Sequence, residues 1–387
     1  MSFDFSDIRY YTDEEFRAIR MKLAREPAMI EIMQFFFPGK TKEDIYRFFE
    51  SLNTVRDFQL KFVAPIIGEI VKRTTTEFTV SGIENVDPSK KYLFISNHRN
   101  IVLDSALMNY ALYRTFGEKF TTTANAIGHN LLVKPFVNHL LRANKSFIVK
   151  RALKPHEMLV NSQILSAYIR KLITDDESSV WIAQREGRTK DGNDRTQAGL
   201  IKMLSMSGEK DFVKNFSQLH ILPFSISYEY DPCDINKVRE LAIIENGQKY
   251  VKGPMEDYES MKRGTMGWKG RIHIHFGKEM TEDVYRQIEE NQPLNKKIKE
   301  VAEYIDRQIH TGYKLYPVSY WAADRLNGND TFSNHYTPEE KQKFTAEMET
   351  KLAALKEGDP KQHENIYLKM YANPLFNQLE ATGKTQS

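Results

Sequence analysis

The chain has 387 residues, 41% of them hydrophobic and 28% charged, with a net charge of +3, enough to bury a sizeable core in one large domain or two smaller ones. So small a net charge argues against a nucleic-acid protein held by bulk electrostatics, while leaving room for a local basic pocket. A single cysteine, Cys233, excludes an internal disulfide framework and any multi-cysteine metal site, and suits a reducing, cytoplasmic compartment.

The first residues carry neither the basic start nor the apolar run of a signal peptide, and no uncharged stretch reaches bilayer-spanning length. Any membrane contact is therefore expected at the surface. Residues 1–73 read as helical: Thr12 to Glu15 is a capping-box pattern, and Phe16, Ile19 and Leu23 follow on one face. Either these helices form a layer packed on the next domain, or Phe35 to Phe37 or Phe62 to Ile67 dips into lipid. From Thr74 strands alternate with helices, which predicts an α/β fold: a mostly parallel mixed sheet with helices on both faces. The expected strands are Glu77 to Val80, Tyr92 to Ser96, Phe120 to Ala124, Ser146 to Val149, Val180 to Ala183, His220 to Tyr228 and Arg271 to Phe276. This domain is expected to span 74–326, with an insertion at 231–270 and a return to helix from Thr281 to Ile309. Residues 327–387 read as a charged helical tail.

The most informative stretch runs from Tyr92 to Asp104. A buried-strand pattern ends at Ser96 and Asn97, His98 follows, and Asp104 lies in the first turns of the next helix. Strand ends of this kind are where open α/β sheets bind ligands. An imidazole there can take a proton from an alcohol, and a carboxylate can fix its tautomer. The plainer alternative is a packing histidine and a first-turn acid favoured by the helix dipole. Two further strand ends carry charge: Lys150 and Arg151 after one, and Glu186, Gly187 and Arg188 after another. Carboxyl ends of parallel strands converge, so these side chains and His98 could line one crevice whose cations suit a phosphate. Singly, each could equally be a solvated or paired loop charge. His273 and His275 share one strand face, but no carboxylate or thiol cluster completes a metal site, and no phosphate-cradling glycine loop appears. No metal or cofactor is expected.

The ordered set of Asn97-His98 with Asp104, Phe147 to Arg151, Glu186-Gly187-Arg188 and Leu222-Pro223 to Tyr228 resembles the four motif blocks of glycerolipid acyltransferases. Asn130 to Phe136 and Arg271 to Gly277 are also similar to segments of that family, and the likeness covers roughly Thr74 to Tyr320. The resemblance implies that His98 is the general base and Asp104 its orienting partner. It implies a substrate-binding set of Asn97, Lys150, Arg151, Glu186, Gly187 and Arg188, with the fourth block shaping the acyl-thioester channel. The implied reaction moves a fatty acyl group from acyl-CoA or acyl carrier protein to a hydroxyl of glycerol-3-phosphate or lysophosphatidate, at the inner membrane face. Two other readings stay open: a thioesterase or lipid hydrolase on the same site, and an inactive lipid-binding, membrane-associated protein. The chain departs from the family pattern in three places. Five residues rather than four separate His98 from Asp104; Lys150 stands where arginine is commoner; Gln184-Arg185 replaces phenylalanine-proline. One extra residue turns a helical side chain by about 100°, so His98 and Asp104 need a bulge or a longer loop to meet.

Overall fold

The computed structural model describes residues 3–384 except 133, 152, 290 and 291. Val133 of the Asn130 to Phe136 segment, and residues 290 and 291 of the expected Thr281 to Ile309 helix, lie outside the described residues. The strands are β1 (Thr75–Ser81), β2 (Leu93–Ser96), β3 (Ala124–Gly128), β4 (Ser146–Val149), β5 (Val180–Ala183), β6 (Ile221–Tyr228) and β7 (Gly270–Phe276). They form one seven-stranded sheet in the order β1-β7-β6-β2-β5-β3-β4. Every neighbouring pair is parallel except β6 with β7. The five strands β6, β2, β5, β3 and β4 therefore run the same way and end at one edge. This is the mostly parallel mixed sheet, with helices on both faces, that the alternation of elements predicts.

β2 lies in the middle, with Leu93 opposite both Val180 and Ile221, and all four of its residues are buried. A strand covered on both faces reads as a continuous apolar run, as Leu93-Phe94-Ile95 does. Phe94 and Trp181 face one core with the helix Leu103–Phe116 and the helices before residue 75; Leu93, Ile95 and Ile182 face another with the helices Pro155–Thr174 and Leu294–Thr311. In the N-terminal helices Phe16, Phe49 and Phe58 are fully buried against the first of these cores. Phe62, Ile66 and Ile67 are buried too, which removes that segment from any lipid surface.

β3 is displaced from its expected position. Phe120 to Thr123 is not strand: Thr123 N donates to Asn109 Oδ1 (2.9 Å), and Thr122 Oγ1 donates to Gln59 Oε1. Helix side chains thus take the polar groups that a ladder would use, and pairing begins at Ala124. The 231–270 stretch contains two helices, Asp234–Glu245 and Glu256–Met266, that return to the edge where the parallel strands end. A third core holds the last helix, Pro360–Thr382, against Pro317–Asn327 and Asp234–Glu245 through Trp321, Tyr367 and Tyr371. From there Asn373 Nδ2 donates to Asp191 O (2.7 Å), bracing the loop that follows β5. Among the described residues no helix is long and apolar enough to cross a membrane.

Candidate active site

At the end of β2 two consecutive side chains do different work. Asn97 is fully buried; its Nδ2 donates to Ile226 O (3.0 Å), and its Oδ1 accepts from Ile226 N (2.9 Å). Both amide atoms are spent on joining β2 to β6 where the two strands part. The resemblance placed Asn97 among the substrate contacts; the structure places it off the cavity wall, as a brace. His98 comes next, with its side chain 14% exposed.

Five intervening residues do not keep His98 from Asp104, because the helix starts late. Asn100 Oδ1 accepts from the backbone N of Val102 and of Leu103 (both 3.1 Å), and its Nδ2 donates to Gly264 O (2.8 Å). Those bonds cap the first turn and let residues 99–102 form the longer loop that the spacing requires. Asp104 then sits in the first helical turn with no exposure. Its Oδ2 lies 2.8 Å from His98 Nδ1 and accepts from Arg99 N (2.7 Å) and Asn100 N (2.9 Å); its Oδ1 accepts from the Tyr228 hydroxyl (2.7 Å). Burial, and then the neighbouring Asp104 charge, push the Tyr228 phenol well above its ordinary range, so it remains a donor. A carboxylate surrounded by donors can only accept, so His98 Nδ1 carries its proton toward Asp104 and Nε2 is left as the free base. The His98 and Trp181 rings form a T-shaped pair, centroids 5.6 Å apart, and the indole is itself held by a bond to Ser96 Oγ (3.0 Å).

His98 opens on a cavity of about 850 Å³ at the carboxyl ends of the parallel strands. Lys150, Arg151, Glu186, Gly187 and Arg188 line the same cavity, so the structure brings together every expected site residue except Asp104, which acts from behind His98, and Asn97. Volumes of this size hold ligands as large as a cofactor. Arg151 N donates to His129 Nδ1 (3.0 Å), and its Nε approaches the exposed Glu186 (3.4 Å). Lys150 is exposed and, among the described residues, pairs with Asp7, 3.5 Å away. Gly187 has φ +72°, a left-handed conformation that lets the chain turn between Glu186 and Arg188. Among the described residues, Arg188 has no hydrogen-bond or ion-pair partner. Asp231 and Asp257 lie near enough to feel its charge but make no ion pair with it, so its donors are open to an anion.

Sequence reasoning missed three contributors. Gly128 ends β3, and a Cβ there would sit 2.9 Å from Arg151 Cζ and Nε and would also strike Asn130 Oδ1. Its missing side chain is the space that the guanidinium occupies. Lys252 and Asp257, from the 231–270 stretch, form another wall of the cavity, joined at 2.7 Å, with Asn130 Nδ2 donating to Asp257 (3.0 Å). Burial pushes the Asp257 carboxyl up, but Lys252 and Asn130 pull it further down, leaving it below the usual range. No local pattern in that polar stretch marks either residue. Among the described residues no group of three or more His, Cys, Asp or Glu side chains is placed to hold a metal ion. His273 and His275 hydrogen-bond to the Ser81 hydroxyl instead, at 2.9 and 2.8 Å.

Residues 77–227 match the family model described as Acyltransferase, and they carry all of the expected site residues. Over those residues the chain is similar to the acyltransferase family. Among solved structures the chain is matched with the 1-acyl-sn-glycerophosphate (LPA) acyltransferase PlsC from Thermotoga maritima, with 13% identity and a TM-score of 0.36 over 76% of this chain and 95% of that one. That likeness is too distant to carry any residue's role across. No curated relative matches the chain.

Gly128→Ala is expected to push the Arg151 guanidinium out of the cavity. Binding of a phosphate monoester, measured by calorimetry, should weaken roughly tenfold, about 1.4 kcal/mol; unchanged binding would show that Arg151 does not face the ligand.

Proposed function

We propose that the protein transfers a fatty acyl group from a thioester, acyl-CoA or acyl carrier protein, to a hydroxyl of a phosphorylated glycerol, either glycerol-3-phosphate or lysophosphatidate. The observation that carries this reading is the pairing of His98 with Asp104 on one side of a cavity whose other walls hold the unpaired Arg188. A base and an anion site in one chamber suit an acceptor with a hydroxyl at one end and a phosphate at the other.

In this mechanism His98 Nε2 removes the hydroxyl proton as the acceptor oxygen attacks the thioester carbonyl. The new C–O bond forms, the tetrahedral centre collapses, and the C–S bond breaks. The imidazolium then returns its proton to the departing thiolate, so no acyl-enzyme is formed. Asp104 stabilises the transient imidazolium and keeps the ring from rotating. Lys150, Arg151 and Arg188 hold the phosphate, so the hydroxyl arrives already oriented, which is worth much of the rate. Phosphate contact at a fixed distance from the base also favours transfer over hydrolysis, since water gains nothing from those cations.

Both the acceptor and the product would be amphiphilic if the acceptor is lysophosphatidate, and attachment to a membrane surface follows from that reading. The cavity mouth supports it. Met158, 54% exposed, lines the cavity beside Leu159 (51%), and Val251 (76%) precedes Lys252 in another wall. Exposed aliphatic side chains flanking a cationic opening suit an anionic lipid interface.

Thiol release measured with a panel of acceptors tests the reaction. Wild type should release thiol only with a phosphorylated glycerol present, and His98→Ala should lose between roughly 10² and 10⁴ in kcat. Arg188→Ala should instead raise the acceptor KM and recover at high acceptor; acceptor-independent release would mean a hydrolase. In vesicle flotation, Leu159→Asp/Val251→Asp should abolish binding to bilayers containing phosphatidylglycerol, and retained binding would move the membrane face elsewhere.

A further inference from the structure

The two loops that the proposed chemistry depends on come from different strands, and each is free to move unless something ties it down. One tie is a backbone bond: Thr189 N donates to His98 O (2.9 Å). The second comes from the 231–270 stretch. Lys237, on the helix Asp234–Glu245, is 3% exposed, and its ammonium has three acceptors: Arg99 O (3.2 Å), Thr189 O (3.2 Å) and Asp231 Oδ2 (2.5 Å). Arg99 follows the proposed base in the chain, and Thr189 follows the proposed phosphate-binding Arg188.

Burying an ammonium is expensive, and neutral carbonyls at a loop surface could be satisfied by water at far lower cost. What a buried lysine adds is geometry: three donors on one nitrogen fix the separation of the groups that they bind. Its helix is itself anchored. The Tyr371 hydroxyl donates to Asp234 Oδ2 (3.1 Å) and accepts from Asp231 N (3.2 Å), and Lys190 pairs with Glu240 on the next turn (2.5 Å). Burial pushes the Asp231 carboxyl up, but the Lys237 charge pulls it further down, below the usual range, as a maintained pair requires.

We infer that Lys237 is a positioning residue that locks the loop carrying His98 to the loop carrying Arg188, and so sets the distance between base and acceptor phosphate. The inference rests on the acyl-transfer reading for its consequence, but the lock itself can be seen without turnover. In the test, Asp231→Asn/Lys237→Met removes the buried pair together, so that no orphan carboxylate remains. Amide hydrogen exchange is followed at residues 97–104 and 184–190, with kcat and KM for thiol release measured alongside. Exchange should quicken in both loops together while β2 and β6 keep their protection, and kcat should fall roughly 100-fold, the scale of a misplacement of about 1 Å, with the donor KM unchanged. Unchanged exchange in either loop, or faster exchange with kcat intact, overturns the inference. If the wild type transfers nothing to any acceptor, the acyl-transfer reading falls, and the exchange data alone decide whether Lys237 is the lock.

Discussion

A carboxylate with no exposure to solvent is tolerable only when donors replace the water it has lost, and Asp104 has four, three from the consecutive residues 98–100 and one from Tyr228. Two are backbone amides of the loop after β2, one is the phenol of Tyr228 at the end of β6, and the last is His98. The carboxylate therefore organises the loop as much as it orients the imidazole. Because the loop wraps its side chain, the His98 ring has one nitrogen committed inward and the other turned to the cavity. The orientation of the imidazole is thus a consequence of how a buried charge is satisfied, and not an independent feature of the site.

The polarity of the sheet does the rest. Strands β2, β3, β4 and β5 all end at one edge, so loops separated by as many as ninety positions deliver His98, Gly128, Arg151 and Arg188 to a single chamber. The elements outside the sheet close that chamber. The helix Glu256–Met266 accepts a bond from Asn100, Lys252 and Asp257 form one wall, and the C-terminal helix braces the loop after β5 through Asn373. Cations are concentrated where a ligand would lie, and the two left without a bonded partner among the described residues, Arg185 and Arg188, are both half-buried. Natural folds neutralise such charges unless something else is meant to, which is the electrostatic content of the proposed phosphate site.

Much of this was legible in the chain. β2, β4 and β5 are short apolar runs between breaks, the pattern that burial on both faces imposes, and the residues just after them are where the site was expected. The extra residue between His98 and Asp104 called for a longer loop, and Asn100, a residue that bonds readily to nearby backbone, is what builds it. β3 was misplaced because Phe120 to Thr123 has better strand residues than Ala124 to Gly128. Strand propensity cannot see that Gln59 and Asn109 have already claimed the threonines. Asn97 looked like part of a binding motif because adjacency in sequence does not tell whether a side chain faces the cavity or the neighbouring strand. Lys237 and Lys252 were invisible for a related reason: their role comes from tertiary placement, and a polar stretch with no period gives no hint of which lysine will be buried.

In the proposed mechanism the Asp104 carboxylate holds His98 as the base for transfer. The most direct measurement is kcat for acceptor-dependent thiol release by Asp104→Asn, in protein shown by circular dichroism to be folded. An amide of nearly the same shape keeps the packing but can no longer serve as an anionic acceptor for every donor around it, so kcat should fall between roughly 10² and 10⁴-fold with little change in the acceptor KM. A folded Asp104→Asn protein with undiminished kcat would contradict the claim.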